Sequence, residues 1–275
     1  MSAVEIVTLK NGAQAIRDCR SGQVMHCGTG PAVEPRAIYV EPSRLAARLA
    51  AGGPDPLVVF DVGLGAASNA LAAWHVSEAA TARRLEIVSF DHDLSPLRLA
   101  LQPENVASFG LTGAALAAAT ALLANGRSET PRTTWRLALG DLSTTLVNAT
   151  EASADVVFWD MYSRAVSPEL WTVSTFRSLR RACRAGATLH TYSAATSTRS
   201  GLLLAGFAVG LGDPTGDKEQ TTIAATDPRD LTRPLDARWL TRLERSSAAF
   251  PSDVGPDAAA RAEAFATIRG MPQFA

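Results

Sequence analysis

The stretch that decides the fold is LVVFDVGLGAASNAL, residues 57–71, which joins an apolar run, an acid and a glycine turn. Residues 57–60 are all apolar, as is typical of a parallel strand covered on both faces, and Asp61 follows at its carboxyl end. Gly63 and Gly65 allow a sharp turn and a close approach of a ligand to the backbone. The pattern predicts a strand, a turn and a helix that hold a nucleotide-like cofactor. A plain strand-to-helix corner without a ligand is the alternative.

A second apolar strand, 85–90, also ends in an acid, Asp91, at the distance expected for an acid that binds ribose hydroxyls. The dinucleotide version of the motif needs a third glycine where this chain has Ser68. Because that glycine permits the close helix packing that accompanies a bound pyrophosphate, a diphosphate is disfavoured. The pattern favours a cofactor with an adenosine and no phosphate, of which S-adenosyl-L-methionine is the common example.

Apolar runs alternate with helical patterns after residue 56, which predicts an α/β fold with a doubly wound sheet of about seven strands. The predicted strands are 57–61, 85–90, 134–139, 155–160, 186–192, 206–210 and 220–225. The predicted helices are 43–51, 111–124 and one that begins at Ser167 and ends shortly before Gly186, with a polar loop at 127–132.

Composition shifts divide the chain into three parts. Residues 1–54 form an N-terminal segment with short strand-like pieces, including Ala37 to Val40, and residues 55–226 form the main domain. Residues 227–275 are polar and helical in pattern and predict a small C-terminal appendage.

Composition also limits the class of protein. The 275 residues are 47% hydrophobic and carry a net charge of −1, which suits one large core. No charged-then-apolar leader opens the chain, and the longest nearly apolar stretch, 111–124, is shorter than the roughly 20 residues of a membrane span. We therefore expect a cytoplasmic protein. Cys19, Cys27 and Cys183 are widely spaced, so neither a disulfide framework nor a metal site is predicted.

Four acids are expected at one edge of the sheet. Asp61, Asp91, Asp141 and Asp160 each follow or end a predicted parallel strand. Ligands in open α/β sheets bind at that edge, where a carboxylate bonds ribose hydroxyls, an adenine amino group or a substrate amine. Each acid alone is equally suited to cap the following helix.

The residues after Asp160 resemble a known family. Asp160-Met161-Tyr162 followed by Ser167-Pro168-Glu169-Leu170-Trp171 is similar to the Asp-x-Phe…Pro-x-Met-Trp block of the methyltransferase family that makes 5-methylaminomethyl-2-thiouridine at the wobble position of tRNA. Further matches are Asp61-x-Gly63-x-Gly65…Asn69, Ser89-Phe90-Asp91, Gly140-Asp141, Thr191-Tyr192-Ser193-Ala194…Arg199 and, upstream, His26…Gly30…Glu34…Ile38-Tyr39. The resemblance covers roughly residues 8 to 226.

The resemblance implies a class I methyltransferase fold and methyl transfer from S-adenosyl-L-methionine. It implies that the cofactor is bound by Asp61, Gly63, Gly65, Asn69, Asp91 and Asp141, and that the N-terminal segment, residues 1–54, covers the cofactor site. It further implies that Asp160 and Tyr162 are the catalytic residues beside the methyl-acceptor amine. Some members are fused to a flavin-dependent oxidase, and this chain is expected to be too short to contain one.

Three departures concern the pose of the cofactor and the acceptor. Ala66-Ala67 replaces a Thr-Gly pair after the second glycine, and Arg164, Val166 and Ser167 replace a Pro and a Lys-Asn after the catalytic acid. The glycine-rich basic cluster before the last strand has become 210–218, with added acids. The cofactor fold is therefore better supported by the residues than tRNA as the acceptor.

The sequence thus predicts an N-methylating enzyme that acts on an aminomethyl group of the wobble uridine of tRNA. Candidate phosphate contacts are Arg177, Arg180, Arg181 and Arg184, on one stripe of the predicted 167–185 helix, with Arg238, Arg242 and Arg245 repeating the pattern. A solvated helix face is the alternative for the stripe. For the whole chain, the alternatives are a methyltransferase or aminopropyltransferase of a small amine and a non-catalytic protein that binds S-adenosyl-L-methionine.

Overall fold

The computed structural model describes residues 3–26, 30–214 and 220–274. The strands are β1 (Val4–Thr8), β2 (Gln14–Asp18), β3 (Leu57–Val62), β4 (Leu85–Asp91), β5 (Arg127–Glu129), β6 (Thr133–Leu139), β7 (Ala154–Trp159), β8 (Cys183–Thr191), β9 (Ala208–Gly212) and β10 (Thr221–Ala225). The helices are α1 (Leu45–Ala50), α2 (Ser68–Glu78), α3 (Ser95–Ala100), α4 (Gly113–Asn125), α5 (Leu142–Val147), α6 (Val173–Ala182), α7 (Thr196–Leu204), α8 (Ala237–Arg245) and α9 (Ala258–Arg269).

Eight of these strands form one sheet in the order β5-β6-β4-β3-β7-β8-β10-β9. The central strands β6, β4, β3, β7 and β8 pair in parallel, whereas β5 and β10 run antiparallel to their neighbours. Helices connect the parallel strands, as right-handed crossovers require. The predicted α/β class is confirmed, and all seven predicted strands are present with small shifts of their ends.

Two short segments differ from the prediction. Residues 127–132, predicted as a polar loop, contain β5, which forms an antiparallel hairpin with β6 and buries only Ser128. The three residues of β5 are polar and alternate between exposed and buried positions. This suits a strand at the edge of a sheet, where only one face needs to be covered. Ala37 to Val40, predicted as a strand-like piece, lies in a π-helical turn, Arg36–Val40. A short apolar run cannot be assigned to helix or strand by periodicity alone.

Helix α6 begins later and ends earlier than predicted. Residues Pro168–Leu170 form a 3-10 turn, and α6 starts at Val173 because the Thr172 side chain caps it and the Asp253 carboxylate accepts the N–H groups of its first residues. The chain leaves α6 at Cys183 to join the sheet as β8. Arg184 therefore lies on a strand, beyond the helix that carries the other three arginines of the predicted stripe.

Both faces of the sheet are covered by a hydrophobic cluster. One includes Ile16, Tyr39 and Trp74, so the N-terminal segment packs on the same face as α2. The other includes Phe176 and, from the C-terminal helices, Trp239. The terminal segments thus complete the two faces, and the predicted domain boundaries stay predictions. Cys27 lies outside the described residues, as do residues 215–218 of the 210–218 stretch that differs from the family.

The strand order places four strand ends side by side. Because β6, β4, β3 and β7 are parallel neighbours, their carboxyl ends meet at one edge of the sheet. The four acids lie along one edge, as the sequence predicts, and the strand order arranges them as Asp141, Asp91, Asp61 and Asp160. No helix within the three described ranges has the length and apolar character needed to cross a membrane.

Candidate active site

A cavity opens over these strand ends, between the edge of the sheet and the N-terminal hairpin. It encloses about 860 Å³, including its open mouth. A second cavity of about 1030 Å³ adjoins it, with Asp91 and Tyr162 on the shared wall. Of the eight site residues that the sequence predicts, Gly63, Gly65, Asp91, Asp160 and Tyr162 line the first cavity, and Asp141 lines the second. Asp61 and Asn69 lie behind that surface.

The turn after β3 brings two strand ends together. Gly63 has a φ of +96°, and a Cβ there would lie 2.5 Å from the backbone oxygen of Asp160. Its missing side chain therefore permits the close approach of the β3 and β7 ends, in addition to the ligand approach predicted from the sequence. Gly65 has a φ of +52°, and its N–H donates to Asp91 Oδ2 over 3.0 Å. The turn thus orients the acid of the neighbouring strand.

The departure at Ala67 has a local structural cost. Ala67 adopts a left-handed conformation, with a φ of +68°, just before α2. A side chain in this region is disfavoured by about 1–2 kcal/mol relative to ordinary backbone. Ala67 is fully buried, and its N–H donates to Leu64 O over 2.7 Å. The turn is therefore hydrogen-bonded and packed with alanine at this position.

Asp61 is the most deeply buried acid of the edge. Its Oδ2 accepts a hydrogen bond from the Ser89 hydroxyl over 2.6 Å, while its Oδ1 is buried without a hydrogen-bond partner. Burial, and to a smaller extent the nearby carboxylates of Asp160 and Asp91, raise the pKa of Asp61 to about 7, against the lowering effect of the Ser89 bond. A positive charge bound at this edge would relieve both effects.

Backbone N–H groups of neighbouring residues orient the Asp91 carboxylate at the wall of the first cavity. Its Oδ1 accepts the N–H groups of His92 and Asp93, and its Oδ2 accepts that of Gly65. Burial nonetheless raises the pKa of Asp91, since the three N–H groups only partly offset the loss of water. The carboxylate is fixed where two adjacent hydroxyls could reach its outer lone pairs.

Asp160 lies at the start of the loop after β7, where three side chains face its carboxylate. Asn69 Nδ2 donates to Asp160 Oδ2 over 2.8 Å, and His26 Nε2 lies 3.9 Å from the same oxygen. The buried Tyr39 hydroxyl faces the carboxylate as well, and the pKa of Tyr39 is raised well above its usual value by burial and then by Asp160. Asn69, predicted to bind the cofactor, thus has its side-chain hydrogen bond to Asp160. A cofactor contact of Asn69 stays a prediction.

Tyr162 and Asp141 have more local surroundings. Burial raises the pKa of Tyr162, and the Asp18 carboxylate beside its hydroxyl adds to the effect. The backbone oxygen of Tyr162 accepts the indole N–H of Trp171 over 2.8 Å, which links the two ends of the family-like block.

Asp141 caps α5 through its Oδ1, and the Ser143 hydroxyl and the capped N–H groups lower its pKa. The hydrogen bonds of Asp141 are therefore those of a helix cap, and cofactor binding by Asp141 stays a prediction.

The N-terminal segment, which the resemblance places over the cofactor, supplies side chains to the cavity wall. They are those of Asp18, Arg20, Gln23, Met25, His26 and Glu34. The family match includes His26 and Glu34, without a chemical role, and none of the other four. These residues reach the cavity wall because the β1–β2 hairpin packs over the edge of the sheet. Local sequence patterns do not encode that packing. Tyr192 closes the far side and donates to Met161 O over 3.0 Å.

The predicted arginine stripe lies away from the cavity and is bonded to the protein itself. Arg177 and Arg180 donate to the backbone oxygens of Leu204 and Gly206, and Arg181 donates to the backbone oxygen of Val147 at the end of α5. Arg184 pairs with Asp155 over 2.8 Å near the start of β7, at the opposite edge of the sheet. Contact of these arginines with RNA phosphates stays a prediction.

The donor set fits S-adenosyl-L-methionine. That cofactor has a ribose diol, which suits the oriented Asp91 carboxylate, and a sulfonium and an ammonium, which suit a buried acid with an unpaired oxygen such as Asp61. The glycine turn leaves backbone exposed to the cavity, as a bound cofactor requires. Within the described ranges, no cluster of three or more His, Cys, Asp or Glu side chains could hold a metal ion. The fold and the site together define a class I methyltransferase.

Comparisons with known proteins agree with this class. A family model for S-adenosyl-L-methionine-dependent methyltransferases matches residues 116–227. The tRNA 5-methylaminomethyl-2-thiouridine biosynthesis bifunctional protein MnmC of Methylibium petroleiphilum is 29% identical over 79% of this chain and 34% of its own length. The protein of the same name from Pseudomonas aeruginosa is 35% identical over 64% of this chain and 28% of its own. The crystal structure of MNMC2 from Aquifex aeolicus aligns with a TM-score of 0.74 at 23% identity, over 98% of this chain and 87% of that one, which supports the fold.

The chain is therefore an S-adenosyl-L-methionine-dependent methyltransferase related to part of these bifunctional proteins. The predicted resemblance, enzyme class and cofactor are confirmed. The chain spans about a third of the length of the curated relatives it matches, 34% and 28% of the two described.

Proposed function

We propose that this enzyme transfers a methyl group to the aminomethyl nitrogen on the wobble uridine of tRNA, in the cytoplasm. The names of the curated relatives support this acceptor. The observation that carries the proposal is the anchored carboxylate of Asp160 in an acid-lined cavity. An alkylamine has a pKa near 10.4 and reaches the site mainly as an ammonium ion, which a carboxylate binds well.

The charge of the cavity supports a cationic acceptor. Its described wall has five carboxylates, from Asp18, Glu34, Asp91, Asp93 and Asp160, against one arginine, Arg20. Asp91 is assigned to the ribose of the cofactor in this proposal, which leaves the other acids to attract an amine. An anionic or neutral acceptor would gain nothing from such a wall.

In the proposed mechanism, Gly63, Gly65 and Asp91 hold the cofactor, with Asp61, Asn69 and Asp141 completing the predicted set. The cofactor supplies an electrophilic methyl group on a sulfonium. Asp160 holds the acceptor ammonium at the cavity wall, assists its deprotonation and directs the freed lone pair toward the methyl group. Tyr162 closes the cavity beside the acceptor. Most of the rate enhancement comes from orientation in a site that excludes water.

The acceptor is tested with S-adenosyl-L-methionine labelled in its methyl group. Three acceptors are compared: tRNA from a strain that lacks its own wobble-uridine methyltransferase, tRNA from the matched wild-type strain, and putrescine. We expect label only in the tRNA of the deficient strain, at the wobble nucleoside. Label in putrescine alone would replace the proposal with a small-molecule amine methyltransferase. Binding without label in any acceptor would favour the non-catalytic alternative.

Binding of the tRNA is tested separately through its salt dependence. If Arg177, Arg180, Arg181 and Arg184 contact phosphates, replacing Arg177 and Arg180 by Gln should reduce the slope of log affinity against log salt by roughly 0.7 per lost single-strand contact. Because these side chains already bond to the protein, an unchanged slope would assign the stripe to stability. The same pair of changes should leave S-adenosyl-L-methionine affinity unaltered.

A further inference from the structure

Asp160 has three side chains at its carboxylate, and they differ in what they can do with a proton. Asn69 gives a hydrogen bond of 2.8 Å to Oδ2 and does not titrate. The Tyr39 hydroxyl is buried, and its pKa is raised well above the usual value, so it keeps its proton at neutral pH. His26 Nε2, 3.9 Å from the same oxygen, belongs to the one side-chain type of the three that exchanges a proton near pH 7.

The position of His26 suits exchange with both the acceptor and water. His26 and Asp160 line the same cavity, and their side chains are 10% and 18% exposed. The imidazole is therefore largely shielded yet still reached by solvent. Its backbone has a φ of +51°, a left-handed conformation that is rare for residues other than glycine. Strained backbone of this kind persists where the surrounding structure fixes a side chain in place, and it is concentrated at functional sites.

We propose that His26 is the proton acceptor of the methyl-transfer site, with Asp160 as its anionic partner. This inference rests on the proposed function. The acceptor ammonium bound at Asp160 gives one proton to the Nε2 of neutral His26, which becomes an imidazolium beside the carboxylate. The freed nitrogen lone pair forms the new N–C bond as the C–S bond breaks and its electron pair returns to sulfur. The product leaves as a methylated ammonium, and the imidazolium later releases its proton to water.

Other charged groups also face this cavity and enter the pH dependence. They are the carboxylates of Asp18, Glu34, Asp91 and Asp93, the phenols of Tyr162 and Tyr192, the imidazole of His92 and the guanidinium of Arg20. His92 Nδ1 lies 3.7 Å from Asp91 Oδ1, so this imidazole is the neighbour of that acid rather than of Asp160. The test therefore has to isolate the coupling of His26 to Asp160.

The coupling is measured by NMR titration of the imidazole C–H signals in the full chain without cofactor. The chain has only four histidines, and His26→Gln identifies the signal of His26. Replacing Asp160 by Asn removes the negative partner and should lower the midpoint of the His26 titration. The exposed His75 is the internal control and should not move. An unchanged His26 midpoint would overturn the proposal.

The second readout is the pH profile of methyl transfer to tRNA from the deficient strain. In the wild type, the rate should level off above the midpoint of His26. In His26→Gln it should be about tenfold lower at pH 7 and keep rising through pH 9, because only acceptor that arrives as free amine can react. His26→Asn, which tolerates the left-handed backbone, should behave like His26→Gln, and the matched control His75→Gln should follow the wild type.

Parallel profiles for wild type and His26→Gln would overturn the role of His26 while leaving the proposed function in place. If no RNA is labelled by any protein and the NMR coupling is present, the tRNA acceptor is wrong and the pairing of His26 with Asp160 is still supported.

Discussion

The two edges of the sheet treat the same residue type in opposite ways. At the amino ends of the parallel strands, Asp155 accepts the Val58 N–H and the Arg184 guanidinium, each over 2.8 Å. At the carboxyl ends, Asp61 is fully buried, Asp91 is largely buried, and both have raised pKa values. In the described part of the chain, no arginine forms an ion pair with either of them. At one edge Asp155 is paired and stabilises the fold, and at the other edge Asp61 and Asp91 have no arginine partner among the described residues, as the proposed cationic ligand and acceptor require.

The largest expected effect is at the acceptor side of the second edge. Asp160→Asn keeps the shape and the contact with Asn69 but removes the negative charge that holds an ammonium and pairs with a protonated base. Methyl transfer at pH 7 should slow by at least about a hundredfold, because this one change removes both the anchor of the acceptor ammonium and the anionic partner of the base. Steady-state rates with saturating tRNA check this, and raising the pH should recover part of the loss. Near wild-type turnover at pH 7 would remove Asp160 from the mechanism.

Asp61 should make the stability of the protein depend on pH. Its pKa is about 7 in the folded state, above the value of about 3.9 for an exposed Asp, so the folded state retains the proton longer. The free energy of unfolding therefore falls as pH rises from about 4 to about 7 and then levels off, by up to about 3 kcal/mol between pH 5 and pH 8. In Asp61→Asn this fall should be smaller. Urea unfolding of both proteins at pH 5 and pH 8 measures it, and identical pH slopes would contradict the burial argument.

The opposite edge should respond in stability rather than in catalysis. Asp155→Ala leaves the Val58 N–H and the Arg184 guanidinium without this acceptor, which should cost about 2 kcal/mol. For a chain of this size the melting temperature should drop by about 4–8 °C. Thermal unfolding by circular dichroism checks the drop. The folded variant should keep the wild-type rate of methyl transfer. A loss of rate without a loss of stability would contradict the assignment of Asp155 to stability alone.

A smaller effect is expected at the turn between the edge and α2. Glycine adopts the left-handed conformation of Ala67 without the penalty of a side chain, although it loses more entropy on folding. Ala67→Gly should therefore raise the free energy of unfolding by roughly 0.5 kcal/mol, since the two effects partly cancel. Denaturant midpoints at matched protein concentration provide the measurement. A destabilised variant would show that the methyl group packs better than the backbone conformation suggests.

The sequence was most informative where one local pattern determined the structure. Apolar runs placed the parallel strands, and the acids after them identified the ligand edge, because parallel topology brings those ends together. It was wrong where a distant residue decided the outcome. Helix α6 starts at Val173 rather than Ser167 since Asp253, far along the chain, accepts its first N–H groups. The resemblance places the segment of His26 over the cofactor, but the 3.9 Å approach of His26 to Asp160 depends on tertiary packing that no local pattern encodes.

The central claim is that the acids at the carboxyl edge form the S-adenosyl-L-methionine site. Calorimetric titration of this cofactor into wild type, Asp91→Ala and Asp155→Ala tests it most directly. Loss of the oriented carboxylate should cost about 1.5–3 kcal/mol of binding, a decrease in affinity of about tenfold or more, in Asp91→Ala. Asp155→Ala should bind as the wild type does. Equal affinity in wild type and Asp91→Ala would contradict the assignment of this edge to the cofactor.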